Sequence, residues 1–196
     1  MNNYQPMDVD LTTSLGSLEL ASPTLTASGC AAAGRELAQF GDVSSLGAVV
    51  TKSIMMEPRS GRATPRMAET PSGMLNSIGL QGPGIEAFLE KDLSWLTQNN
   101  VTTIVSIAGN NVDEFGDLAR ILARVPGIAG LEVNISCPNV ESRGQVFACN
   151  PVSAAQVIKT VRSVWHSDVP ILAKLSPDVT DIVEIAHSVV EAGVAG

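Results

Sequence analysis

Apolar runs and helix-spaced stretches alternate along this chain. "PTLTASG" (23–29), "LGAVVTKS" (46–53), "TTIVSIAG" (102–109), "GLEVNIS" (130–136) and "PILAKLS" (170–176) predict five strands. They are rich in Val, Ile and Thr, and several are apolar nearly throughout, as parallel strands covered on both faces are. Phe115, Leu118, Ala119, Leu122 and Val125 keep a helical period between the third and fourth runs. Ala154, Val157, Ile158, Val161 and Trp165 do the same behind Ser153, a predicted cap. A last helix carries Ile182, Ile185, Ala186, Val189 and Val190 on one face, with Thr180 as its predicted cap and Gly193 at its C-terminal end. Strand and helix in alternation predict an α/β fold with a parallel sheet.

Residues 54–84 break the rhythm. The stretch holds four prolines and five glycines and is too long for an ordinary βα connection, and loops of that length are usually functional. Periodicity alone leaves open whether the sheet is an open doubly wound one or part of an eight-stranded barrel, which typically needs ~250 residues. No GxGxxG or Walker pattern follows the first strand, and "GCAAAGRE" (29–36) has the wrong spacing for either.

Composition narrows the function classes. Hydrophobic residues make up 44% of the 196 and charged residues 16%, enough apolar material for a core. A net charge of −8 argues against a nucleic-acid partner. No apolar run is long enough for a membrane span, and "MNNYQPMDVD" has no basic or apolar leader pattern. Cys30, Cys137 and Cys149 are spaced for neither a zinc site nor a disulfide framework, so no metal is expected and the cytoplasm is the expected compartment.

Candidate chemistry gathers at the predicted C-terminal strand ends, where ligands bind in barrels and open parallel sheets alike. Ser28 and Gly29 end the first run, Lys52 and Ser53 the second, and Ser106 lies late in the third. Asn134, Ser136 and Cys137 end the fourth, and Lys174 and Ser176 the fifth. Two lysines in apolar strands are costly to bury unpaired, so they point to an anion or an electron-rich ligand; the alternative is snorkelling at the strand end. Cys137 stands in "NISCPNV" (134–140), between Asn134 and Asn139, whose amides suit a planar polar heterocycle. Its alternative is a small buried hydrophobe. Cys30 and Cys149 read as structural or incidental, and His166 and His187 as surface residues. Glu57, Arg59, Arg62 and Arg66 form a charged cluster that is either a solvated loop face or a docking element.

The motifs "ASGC", "VVTKS", "TPRMAETPSGMLNSIGLQ", "LEVNISCPNV", "GQVF" and "AKLSPDVTDI", in this order, resemble class 1 dihydroorotate dehydrogenases, and within them the family 1B catalytic subunit. The resemblance implies a (β/α)8 TIM barrel binding FMN at its mouth. It implies oxidation of dihydroorotate to orotate in pyrimidine biosynthesis, with a cysteine base, here Cys137, taking the C5 proton and the flavin the C6 hydride. Substrate contacts carry over to Lys52, Asn76, Ser77, Ile78, Gly79, Leu80, Asn134 and Asn139, and flavin contacts to Ser28, Gly29, Lys52, Ser53, Ser106, Asn134 and Lys174. Family 1B implies a homodimer core and a partner subunit carrying FAD and an iron–sulfur cluster that passes electrons to NAD⁺.

The chain also departs from that pattern. "GCAAAGRE" stands where "GCFGFG" is usual, Ser106 replaces an asparagine, "LQGPG" replaces "LQNPG", and "VESRGQVF" replaces a shorter glycine-rich lid. At 196 residues the chain is expected to hold about the first five βα units, without the C-terminal strands and the phosphate site. Three other readings stay open: a fumarate-using class 1A enzyme, a dihydropyrimidine dehydrogenase-like enzyme, and a non-catalytic truncated remnant.

Overall fold

The computed structural model describes residues 9–136, 146–166 and 168–196. Two short strands, β1 (Thr13–Leu15) and β2 (Leu18–Leu20), form an antiparallel hairpin that turns at Gly16, whose φ of +61° suits glycine. An irregular stretch follows to β3 (Val49–Val50). The long loop then folds a second hairpin, β4 (Met67–Thr70) with β5 (Gly73–Asn76). A continuous helical segment comes next: α1 (Ile85–Ala87), a π-helical stretch (Phe88–Leu93) and α2 (Ser94–Gln98). From there strand and helix alternate: β6 (Thr103–Ile107), α3 (Val112–Leu122), β7 (Gly130–Asn134), α4 (Pro151–Val164), β8 (Ile171–Lys174) and α5 (Ile182–Glu191).

The main sheet is four-stranded and parallel, in the order β3-β6-β7-β8. Its register pairs Val50 with Ile104, Val105 with Leu131 and Asn134 with Lys174. Spatial order equals chain order, so each crossover steps the same way and no topological switch point arises among these strands. All C-terminal strand ends therefore open on one side.

Four of the five expected parallel strands form. The run at 23–29 makes only a single parallel bridge, Leu25 to Ala48. The cause is Thr26. Its backbone N–H reaches Ala48 O at 3.2 Å, but its hydroxyl accepts from Val50 N at 2.9 Å, where a strand would offer a backbone carbonyl. The chain then turns at Gly29, φ +88°. On the opposite edge, Ala195 N donates to Ile171 O at 2.8 Å and Ala173 N to Gly196 O at 2.9 Å, so β8 is flanked too.

Two predicted caps move. The α4 cap is Asn150, whose side chain accepts from Ser153 N at 3.0 Å, with Pro151 in the first turn; Ser153 is inside the helix. The α5 cap is Asp181, accepting from Val183 N and Glu184 N, and Thr180 lies outside. On α5 only Ile185 and Val189 of the expected apolar face are buried, Ala186 is half-buried, and Ile182 and Val190 are exposed. Gly193 does end this helix. At φ +109° it donates to Val190 O while Val194 N donates to Val189 O, the paired bonds of a Schellman motif.

The largest core cluster joins Val105, Ile107, Leu131 and Val133 of the sheet to Phe115, Leu118 and Leu122 of α3 and to Val157, Ile158 and Val161 of α4. Phe88 and Leu93, from the π-helical stretch, enter the same cluster. On the other face, β1 and β2 pack Leu15, Leu18 and Leu20 against Ala48, Val50 and Ile104. The sheet is thus covered on both faces at β3 and β6. No described helix is long and apolar enough to cross a membrane.

Candidate active site

The strands deliver polar side chains to their C-terminal ends. Thr51 sits just past β3, fully buried, and its hydroxyl accepts from Ser106 N at 3.1 Å. Ser53 Oγ lies 3.0 Å from Ser106 Oγ, and Asn134 Nδ2 donates to Ser53 Oγ at 2.9 Å. Asn134 Oδ1 accepts from the Ser136 hydroxyl at 2.6 Å and from Ser136 N at 3.2 Å. A hydrogen-bonded chain therefore runs across three strands, from Thr51 to the residue that precedes Cys137.

Further along the mouth, Lys174 Nζ donates to Ser28 Oγ at 2.7 Å, which ties the end of β8 to the loop after the Leu25 bridge. Lys52 is half-buried. Its backbone N–H donates to Ala32 O at 2.8 Å. Among the described residues no hydrogen bond or ion pair engages its ammonium. A Cβ at Gly29 would come within 3.9 Å of Lys52 Nζ, so glycine leaves the approach to the ammonium open.

Lys52 lines a cleft of about 880 Å³ that also takes in Gly29, Ala32, Arg66, Ile78 and Gln81. One wall is held by a backbone clamp. Arg62 N donates to Ile78 O at 3.0 Å, Arg59 and Gly82 exchange bonds of 2.9 Å each way, and Arg66 bonds Gln81 Oε1 and Ser60 O. The clamp is tight. A Cβ at Gly61 would lie 2.6 Å from Ile78 O, and one at Gly79 would lie 2.7 Å from Arg62 N. Of the charged loop cluster, Arg66 joins the clamp through its side chain and Arg59 and Arg62 through their backbone, while Glu57 and Arg62 are exposed. Across the cleft Arg35 pairs with Asp92 at 3.4 Å and lies over the Trp95 ring.

The structure brings Ser53, Ser106 and Asn134 into one chain of contacts, Lys174 and Ser28 into a second, and Lys52, Gly29 and Ile78 into one cleft. Asn76 ends β5 opposite Met67 and is exposed, outside the residues that line the cleft. Ser77 N holds Arg66 O at 2.8 Å, and Leu80 takes a positive φ of 55° at the turn into the clamp. Cys137 and Asn139 lie outside the described residues. Cys30 and Cys149 are exposed free thiols, and His166 and His187 are exposed. Thr51, Arg35 and Gln81 were missed by sequence reasoning. Only Thr51 left a signal, as a hydroxyl inside the apolar run "AVVTKS".

A family model described as dihydroorotate dehydrogenase matches residues 10–196. Among curated relatives, the "dihydroorotate dehydrogenase B (NAD(+)), catalytic subunit" of a Geobacillus species is 47% identical over 186 residues, which are 95% of this chain and 59% of that protein. The proteins of the same name from Geotalea uraniireducens and Pelobacter propionicus are 45% and 46% identical, over 94% and 95% of this chain and 60% and 61% of theirs. The chain therefore spans about three fifths of the length of the curated relatives it matches. A match that reaches from residue 10 to the last residue takes in the whole sheet and every strand end described above, and the chain belongs to the dihydroorotate dehydrogenase family.

Proposed function

We propose that this chain contributes βα units of a (β/α)8 barrel that oxidises dihydroorotate to orotate with FMN. The strand order supports the barrel, since four parallel strands in chain order without a switch point suit it better than a doubly wound sheet. The observation that carries the activity is the presence, at one set of strand ends, of a lysine ammonium without a partner among the described residues and of a fixed asparagine amide. A cation in a half-buried cleft fits a ligand that gains negative charge during reaction, and among the described residues no ion pair neutralises Lys52. The flavin, when bound, supplies the hydride acceptor.

In this reading the protein's own groups bind, orient and take a proton. Lys52, Asn134 and Asn139, with Asn76 and the Ser77–Leu80 wall, hold the pyrimidine ring and its carboxylate. Ser28, Gly29, Ser53 and Lys174 line the flavin side, with the buried Ser106 behind Ser53. Cys137 takes the C5 proton from the ring face opposite the flavin, and the two asparagines keep the ring against it. The relatives' names support NAD⁺ as the final acceptor and a further subunit beside the catalytic one. We assign FAD and an iron–sulfur cluster to that subunit.

The test is anaerobic. The purified chain is loaded with FMN, and bleaching of the flavin absorbance is followed as dihydroorotate is added, alone and then with NAD⁺ and the partner subunit. Bleaching by dihydroorotate is expected, with Cys137→Ser slower by about 10²–10⁴-fold at neutral pH, the usual share of a general base. Bleaching by a reduced pyrimidine lacking the carboxylate, with none by dihydroorotate, would transfer the chain to the dihydropyrimidine branch. Turnover with fumarate and no partner subunit would replace NAD⁺ as the acceptor.

A further inference from the structure

The amide of Asn134 has only one orientation available. Its acceptor end takes the Ser136 backbone N–H at 3.2 Å as well as the Ser136 hydroxyl at 2.6 Å. A backbone N–H can only donate, so Oδ1 must face it and Nδ2 must face Ser53, 2.9 Å away. Ser53 Oγ is therefore an acceptor in that bond. Its other neighbour is Ser106 Oγ at 3.0 Å, where either hydroxyl is free to donate.

Burial settles which one does. Ser106 is fully buried, and Ser53 is the side-chain partner of its hydroxyl among the described residues. If Ser106 accepted, its proton would be buried against no acceptor, a defect that folded proteins avoid. If Ser106 donates, its proton is satisfied. Ser53 then accepts twice, from Asn134 and from Ser106, and a hydroxyl oxygen has two lone pairs. Ser53 is partly exposed, so its own proton turns outward to solvent or ligand.

We infer that Ser106 is a positioning residue: through Ser53 it fixes the polarity of the strand-end hydrogen-bond chain, and it leaves Ser53 able to act towards a ligand only as a donor. The ligand atom at Ser53 is then a hydrogen-bond acceptor, a carbonyl oxygen or an unprotonated ring nitrogen, and an N–H is rejected there. The identity of the ligand rests on the flavin reading proposed above. The polarity rests on the hydrogen bonds alone.

The experiment has one arm with FMN and one without. In the first, FMN is titrated into the full chain carrying Ser106→Ala, Ser53→Ala or both, and its fluorescence quenching gives dissociation constants. Ser106→Ala is expected to weaken FMN about 2–10-fold, the range for losing one fixed hydrogen bond. In the Ser53→Ala background the same change should have no further effect. An unchanged affinity in Ser106→Ala, or an equal loss in both backgrounds, overturns the inference.

The second arm uses urea unfolding of the ligand-free chain carrying Ser106→Ala, Asn134→Ala or both. The two side chains are linked through Ser53, so their effects should be non-additive with Ser53 present and additive with Ser53→Ala. Additivity in both backgrounds overturns the inference. If the unsubstituted chain takes up no FMN, the flavin reading fails and this arm alone decides on the chain of hydroxyls. Should Ser106→Ala not fold, Ser106→Cys, a weaker donor of similar size, replaces it in both arms.

Discussion

At the scale of single residues, two backbone positions, Gly47 before β3 and Ala32 in the cleft, carry opposite predictions. A Cβ on Gly47 would sit 2.0 Å from Ser22 O and 3.2 Å from Thr24 O, both backbone atoms. Gly47 N also donates to Thr24 O at 2.9 Å, so the two segments cannot separate without losing the edge of β3. Gly47→Ala should therefore destabilise the chain by more than about 3 kcal/mol, seen as a fall in urea midpoint. Ala32 is the reverse case. Its φ of +45° is left-handed, a region that costs an L-residue about 1–2 kcal/mol, and it is held there because its carbonyl accepts Lys52 N. Ala32→Gly should raise stability by about 1 kcal/mol and leave the position of Lys52 unchanged. A lower urea midpoint would show that the turn is not strained. Lys52 and Asn134 were legible in the sequence because a polar group late in an apolar run has few structural uses. The pairing of Ser106 with Ser53 was not, since it joins residues 53 positions apart.

Elements were legible where a period is long and hidden where side chains replace backbone partners. The helices α3, α4 and α5 all appear, yet α5 buries only Ile185 and Val189 of its expected face and two caps lie elsewhere. Ser, Thr, Asn and Asp cap comparably well, so which of several neighbours does so is a geometric outcome. The α4 cap can be tested directly. Asn150→Ala should lower stability by about 1 kcal/mol, and Asn150→Asp should restore most of it, measured by thermal unfolding. The strand expected at 23–29 failed for a related reason, since the Thr26 hydroxyl takes the place of a carbonyl. A smaller element offers a pH test. Asp42 caps the 3-10 turn at Val43–Ser45, and hydrogen bonds from the Ser44 side chain and then its backbone hold the carboxyl below its ordinary value. A lowered pKa contributes stability above the unfolded-state value, and that stability is lost as pH falls through the folded one. Ser44→Ala should therefore move the Asp42 titration up towards the ordinary carboxylate range, read by NMR.

Across the whole molecule, the core and the β4–β5 hairpin are separate structures. The large cluster binds β6, β7 and β8 to α3, α4 and α5, and every strand of it was readable as an apolar run. The β4–β5 hairpin was not readable, because all eight of its residues are exposed and Met67, Met74 and Leu75 give it no buried face to set a period. It is anchored at its base, by Ser77 N on Arg66 O and by the Arg66–Gln81 bond. Such an arrangement should open locally far more often than the sheet does. Amides of Thr103–Ile107 and Gly130–Asn134 are expected to exchange only on global unfolding, and those of Met67–Thr70 and Gly73–Asn76 much sooner. Replacing residues 68–75 with a short glycine linker should accordingly change the urea midpoint little, since no core contact is removed. If the proposed reading holds, the same replacement should weaken orotate binding, because Asn76 loses the hairpin that sets its register against Met67, while the Ile78 wall keeps its clamp. Equal protection of hairpin and sheet, or a large fall in midpoint on deletion, would mean that the hairpin is part of the folding core and that its role at the cleft cannot be separated from stability.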